Sequence, residues 1–312
     1  MWRILVSGVS GPIGGALVPS LKANGARVAR LTRGNGNRSG AGSSTAGHGS
    51  NHEEARISWD PAKPITPEAV SGFQAVIHLA GETIVGRWTE AKKARIRDSR
   101  IEGTRHLAEA LALASEKPQV FVCSSAIGYY GNRGDEILKE DSSPGEGFLP
   151  QVCQEWEAAT DPAAQAGIRT VQMRTGVVLT RHGGALGKML LPFKLGVGGN
   201  VGSGRQWMSW IDIEDMVGAI HHILNNDLLH GPVNMVAPKP VTNAEFTKTL
   251  GNVLSRPTIF PLPEFAVKTV FGQMGEEVLL WSERVEPTKL IMNGYPFRFR
   301  ELRTSLRHVL GG

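Results

Sequence analysis

Short apolar runs alternate with helical stretches through residues 1–174, and that alternation narrows the possible folds more than any other feature of the chain. The runs are RILVS at 3–7, RVARLT at 27–32, ARISW at 55–59, QAVIHLA at 74–80, QVFVCS at 119–124 and RTVQMR at 169–174. Helical patterns fall at about 13–24, 89–115 and 149–166. Strands joined through helices run parallel, and right-handed crossovers lay those helices on both faces, so the pattern predicts an α/β fold with a doubly wound parallel sheet of the Rossmann type.

Two stretches break the rhythm. Residues 34–55, GNGNRSGAGSSTAGHGSNHEEA, are rich in glycine and serine and lack apolar periodicity, which predicts a flexible surface insertion. After residue 180 the chain turns glycine-rich in LGVGGNVGSGRQW, and from 238 it continues in proline-spaced segments, one opening a helix capped by Thr242 or Asn243. The expected division is a dinucleotide-binding domain over 1–180, to which 207–237 return, and a smaller C-terminal substrate lobe from 181–206 and 238–312.

Composition removes several classes of function. No apolar run reaches the roughly 18 residues of a membrane span, and the first strand-like run begins at residue 3, so the expectation is a soluble, cytoplasmic protein with no membrane partner. Cys123 and Cys153 are too few for a disulfide framework and match no metal-ligand spacing, so no metal is expected. The net charge of +5 comes from scattered basic residues without interleaved aromatics, which argues against nucleic acid. KKARIRDSR at 92–100 reads as a solvated helix face.

A ligand is expected at the first strand end. In VSGVSGPIGG, Gly8, Gly11 and Gly14 recur at three-residue intervals between a strand and a helix, where glycines permit a tight turn, close approach of a diphosphate and close seating of the helix. Gly8, Ser10, Gly11, Pro12, Ile13 and Gly14 are therefore candidate cofactor contacts. The second strand ends in Thr32 and Arg33, with no acid to take a ribose 2′-hydroxyl; a guanidinium suits a 2′-phosphate, so the expected cofactor is NADP(H). Asp60, in SWDP, is either an acceptor for the adenine amino group or a turn residue before Pro61. Leu79, Ala80 and Gly81 close the fourth strand with residues suited to passing the cofactor, while His78 reads as a core histidine.

The segments SGVSGPIGG, HLAGETI, SSAIGYYG, WEAA, RTGVVLT, GGALGKMLLPFKLGVGG and GSGRQWMSWIDIED together resemble the extended short-chain dehydrogenase/reductase superfamily. Within it the chain is similar to the branch called epimerase family proteins, or NAD-dependent epimerase/dehydratase-like, with a C-terminal domain of its own. The resemblance implies a serine at the end of the fifth strand that holds the substrate oxygen, matched by Ser125 with Ser124 beside it at the nicotinamide pocket. It also implies Ser99 and Arg100 near the nicotinamide ribose and diphosphate, Val177 and Val178 near the carboxamide, and dimers formed through helices of the sheet domain.

The chain departs from the superfamily at two places. The usual Tyr-x-x-x-Lys acid/base pair reads Leu149 and Cys153 here, the latter expected to be an inert packed thiol. Met208 stands where sugar-nucleotide epimerases commonly carry a diphosphate-clamping arginine, with Arg205 three positions away. Tyr129 is the first candidate for the acid, converging with Ser125 on one substrate oxygen, ahead of Tyr130 and Glu82; a tyrosine packed with its hydroxyl tied to backbone is the alternative. Arg87, Trp88, Trp207 and Trp210 read either as walls of a substrate pocket or as core between the lobes. Two functions stand: hydride transfer on a small carbonyl or hydroxyl compound, or a catalytically silent NADPH-binding sensor.

Overall fold

The computed structural model describes residues 1–34 and 55–311; the expected insertion lies almost wholly outside the described residues. In chain order, β1 (Arg3–Ser7), α1 (Pro12–Ala23), β2 (Arg27–Arg33), β3 (Arg56–Trp59), the short α2 (Pro67–Val70), β4 (Ala75–His78), α3 (Glu90–Leu113) and β5 (Val120–Ala126) come first. Then follow β6 (Ile137–Leu138), α4 (Phe148–Ala158), α5 (Asp161–Gln165), β7 (Arg169–Thr175), β8 (Val177–Leu179) and α6 (Gly184–Lys194). Later elements include β9 (Trp207–Met208), β10 (Trp210–Asp212), α7 (Ile213–Asn225), β11 (Gly231–Met235), β12 (Val241–Thr242), α8 (Asn243–Leu254), α9 (Glu264–Phe271), β13 (Arg284–Val285) and a last helix, Leu302–Leu310.

Seven strands form one parallel sheet in the order β11-β7-β5-β4-β1-β2-β3. The order reverses at β1, which lies between β2 and β4, and a crevice at the carboxyl ends of these strands is where open α/β sheets take ligands. Strand parity sends alternate side chains to two cores: Ile4, Val6, Val120 and Val122 join α1 and α7, while Leu5, Val76, Phe121 and Cys123 join α3, α4 and α5.

Local chemistry sets the helix limits. Helix α1 opens with Pro12 in its first turn and buries Gly14, Leu17, Val18 and Leu21, a stripe at helical spacing. Thr89 caps α3 through the Lys92 N–H (3.2 Å), and of the two candidates before α8 it is Thr242 that caps, accepting from the Glu245 N–H (3.2 Å). The single helix expected over 149–166 is two. Helix α4 ends at Ala158 and α5 starts at Asp161, because Pro162 has no N–H with which to continue α4 and instead suits a first turn.

A third core gathers Leu186, Leu190 and Phe193 of α6, Trp210, Phe246 and Leu250 of α8, and Leu302 and Leu306 of the last helix. Strand β8 pairs in parallel with β10 and β13 with β6, whereas β9 and β12 pair antiparallel. Trp210 is fully buried in this core, and buried Trp88 donates to the Ile84 carbonyl (2.7 Å), so both are core residues rather than pocket walls. Trp207 is half-buried beneath the Arg284 guanidinium and donates to Asp135 (2.7 Å), while exposed Arg87 donates to the Thr269 carbonyl (3.3 Å). No helix among the described residues is long and apolar enough to cross a membrane.

Candidate active site

The turn after β1 is built by steric necessity. Gly8 has φ +70°, and a Cβ there would lie 2.5 Å from the Leu79 carbonyl carbon and 2.7 Å from the Ala80 nitrogen, so only glycine lets β1 and β4 end side by side. A Cβ on Gly14 would sit 2.5 Å from the Gly8 carbonyl oxygen, which fixes how closely α1 meets the turn. Helix α1 begins with no side-chain cap and no acid in its first turn, so its positive end is uncompensated and suits a diphosphate.

A cleft of about 400 Å³ opens there. Of the expected cofactor residues, Gly8, Ser10, Gly11, Thr32, Arg33, Leu79, Ala80 and Gly81 line it. Val9, Leu31, Trp59, Pro61, Glu82 and Ser99 complete the lining; of these only Ser99 and Glu82 are candidate site residues from the sequence. Arg33 is exposed at the end of β2, makes no ion pair among the described residues, and contributes to the field at Glu82. Glu82 is bound to Lys92 (2.7 Å), which with nearby guanidinium charge holds its carboxyl below the usual range.

Other expected contacts take different roles. Asp60 spends its carboxylate on the Ala62 N–H (3.2 Å) and lies 3.7 Å from Lys63, so of its two readings the structure shows the turn residue. Arg100 does not line the cleft. It donates to the Glu82 carbonyl (3.0 Å) and the Ile96 carbonyl (3.1 Å) and stacks on Trp156, holding the loop at 80–82 from behind, while Ser99 Oγ accepts from the Glu82 N–H (3.1 Å). Pro12 and Ile13 belong to α1, Ile13 packing into the core. Ser124 is half-buried, with no side-chain hydrogen bond among the described residues. Val178 packs against the α1-side core, and Gly183 beyond it comes close to Pro12, so the segment after β7 returns to the glycine turn.

Around β5 the side chains form a bonded cluster. Ser125 is buried beside Arg174 of β7 and donates its proton to Glu157 (2.7 Å). Arg174 clamps Glu157 through two bonds of 2.8 Å, donates to Tyr130 Oη (3.0 Å) and the Glu140 carbonyl (3.1 Å), and lies 3.4 Å from the Tyr129 ring centre. The Ser125 proton therefore goes to an ion pair, and Tyr129 meets the Arg174 of that pair through its ring face. The Tyr129 hydroxyl has no hydrogen-bond partner among the described residues. Tyr130 is fully buried, donates to Asn234 (2.7 Å), and burial pushes its hydroxyl up to about 12, so it is structural.

Both thiols are buried, and Cys153 is packed as the sequence suggested. Burial pushes both Cys123 and Cys153 up to about 12, and at Cys153 the charges of Glu157 and Glu283 add to that effect. His78 bonds Ser7 Oγ through Nδ1 (2.6 Å), and burial lowers it to about 4, so it stays neutral in the core. One feature had no local signal: Glu277 accepts from the Phe148 N–H (3.1 Å) and the Leu149 N–H (2.8 Å), so a carboxylate far along the chain caps α4.

The family model described as the NAD dependent epimerase/dehydratase family matches residues 4–235. The chain belongs to that family. Residues 262–309 match a domain of unknown function, DUF1731. Epimerase family protein Mb2239 of Mycobacterium bovis is 41% identical over 308 residues, covering 98% of this chain and 97% of its own. The crystal structure of human epimerase family protein SDR39U1 (isoform 2) with NADPH is 36% identical, has a TM-score of 0.85 and covers 99% of both chains. A structure described as the nucleoside-diphosphate sugar epimerase from Corynebacterium glutamicum is 33% identical, with a TM-score of 0.77, and is matched over 99% of this chain and 58% of its own. This epimerase-family chain thus has the parallel sheet that its strand alternation predicted.

Proposed function

We propose that the chain binds NADP(H) along the β1–α1 turn and acts on a small carbonyl or hydroxyl compound by hydride transfer, as an oxidoreductase or epimerase-like enzyme. Arg33 carries the reading: its guanidinium makes no ion pair among the described residues and lies on the rim of the cleft, at the strand end where the 2′-substituent of the adenosine ribose would lie. The NADPH in the human relative's structure supports it. The uncapped start of α1 faces the diphosphate, Thr32 and Arg33 take the 2′-phosphate, and Arg100 and Ser99 hold the loop that passes the ribose. Bound NADPH supplies the hydride.

Calorimetric titration of NADPH and NADH tests the cofactor. Arg33→Ala should weaken NADPH by about ten-fold to a hundred-fold and leave NADH nearly unchanged, since a charge-assisted bond is worth roughly 1.5–3 kcal/mol. Equal losses for the two cofactors would refute the assignment. NADPH oxidation across a carbonyl library tests the activity. The sensor reading draws support from Leu149 and Cys153 and from the committed proton of Ser125; tight NADPH binding without turnover of any carbonyl would favour it.

A further inference from the structure

Hydride transfer to a carbonyl needs a group that gives up a proton near neutral pH, and α4 provides none. A candidate reaches the site from the far end of the chain. Glu283, just before β13, has its backbone fixed on both sides: its N–H donates to the Trp207 carbonyl (3.1 Å) and its carbonyl accepts from Ser209 Oγ (2.8 Å). Ser209 Oγ in turn accepts from the Val285 N–H (2.9 Å). The neighbouring Ser282 is tied to the loop after β5, its N–H donating to Asn132 (3.1 Å) and its hydroxyl to the Gly134 carbonyl (2.6 Å). The Ser209 carbonyl oxygen lies 2.5 Å from where a Cβ on Gly176, the residue after β7, would stand. The segment therefore crosses the carboxyl ends of β5 and β7.

From this frame the Glu283 carboxyl comes close enough for its charge to act on Cys153, whose thiol also interacts with the Ala126 backbone at the end of β5. Cys153 occupies the position that the superfamily gives to its lysine. Glu283 as a residue keeps some exposure, yet its Oε1 is closed off from solvent and has no hydrogen-bond partner among the described residues. A buried carboxyl oxygen without a donor is uncommon and marks a place where a ligand or a proton can complete the pairing.

We propose that Glu283 is the catalytic proton donor and acceptor of this site, replacing the absent tyrosine. The proposal rests on the hydride-transfer reading above. In reduction, the Glu283 O–H bond breaks and its proton passes to the substrate oxygen as the carbonyl carbon accepts the hydride pair from the nicotinamide cofactor. The carboxylate left behind is reprotonated from solvent, so each turnover consumes one proton; oxidation runs the same steps backwards.

Burial pushes the Glu283 carboxyl up to about 8, which keeps it protonated at neutral pH. Facing it from α4 is the Cys153 thiol, uncharged until about 12. Arg284 lies over the Trp207 ring, Asp135 takes the Trp207 indole proton, and Arg100 and Glu157 act on Cys153; burial is the cause that acts on Glu283 itself.

The test combines infrared carboxyl titration of the protein without substrate with turnover measured against pH. Wild type should show a carboxyl titrating near pH 8 that is missing from Glu283→Gln. Glu283→Gln should keep its NADPH affinity within about two-fold and lose carbonyl reduction by roughly 10²–10⁴-fold, and Glu283→Asp should recover part of it. Wild-type kcat/KM for reduction should fall above pH 8, and the residual rate of Glu283→Gln should not. Unchanged turnover in Glu283→Gln, or no carboxyl titrating above pH 6, overturns the role of Glu283 while leaving hydride transfer intact. Wild type that reduces no carbonyl overturns both. If Glu283→Gln fails to fold, Glu283→Asp carries the same test through a shifted pH profile.

Discussion

The two ends of the crevice are made differently. At the β1–α1 turn every determinant lies within a few residues of its partner: glycines where a Cβ would strike backbone, a proline opening the helix, and Arg33 closing the next strand. At the β5–α4 end the determinants come from far apart: Ser125, Glu157 and Arg174 meet across a strand pair and a helix, Glu277 caps α4, and Glu283 arrives by way of β13. The first kind of site can be read from a short window. The second exists only once the chain has folded.

If that contrast is right, substitutions at the far-assembled end should cost global stability, and those at the local end should cost cofactor affinity as well. The largest effect is expected for Arg174→Ala, which strands a half-buried Glu157: about 3 kcal/mol lost, measured by urea denaturation, with much of it recovered in Arg174→Met paired with Glu157→Leu. A loss below 1 kcal/mol would show that water replaces the guanidinium.

Gly8→Ala forces a side chain into positive φ and against the β4 end, at roughly 2–4 kcal/mol, and NADPH affinity should fall with it. Retained affinity in a destabilised variant would separate the turn from binding.

The next effect is a dependence on pH. His78, neutral when folded, ionises in the unfolded chain below 6.5, so its contribution is full above 6.5 and is lost as pH falls toward about 4. Glu283 behaves oppositely: protonated when folded, it favours unfolding as pH rises from 4.5 to about 8, by up to about 1.4 kcal/mol per pH unit. Urea midpoints should therefore show Glu283→Gln gaining on wild type from pH 4.5 to 8 and then running parallel; parallel curves throughout would mean an ordinary carboxyl. The smallest effect is expected of Glu277→Gln, which keeps an acceptor but removes a charge from a helix start, at roughly 1 kcal/mol.

Legibility followed the same division. The alternation of strands and helices, the glycine turn, the cleft residues of β2 and β4, and a cap at Thr242 or Asn243 were readable because periodicity and capping act over short spans. Ser125 was legible as a residue at the right strand end, but not its bond to Glu157, which depends on β5 lying in register with Arg174. Tyr129 and Tyr130 could not be told apart by spacing; a neighbour from β11, Asn234, is what makes the second structural. The break between α4 and α5 was there to be read in Pro162, and the apolar spacing on either side concealed it.

The cap on α4 has a consequence for synthesis. Ribosomes deliver chains N-terminal first, and the carboxylate that satisfies the Phe148 and Leu149 amides follows 128 to 129 residues later. At about 5–20 residues per second, α4 waits roughly 6–26 s on the nascent chain with those amides open to water. During that interval the growing polypeptide has its nucleotide cradle but an unfinished β5–α4 end, and a nascent-chain chaperone would meet the carboxyl edge of the sheet while that end is still open.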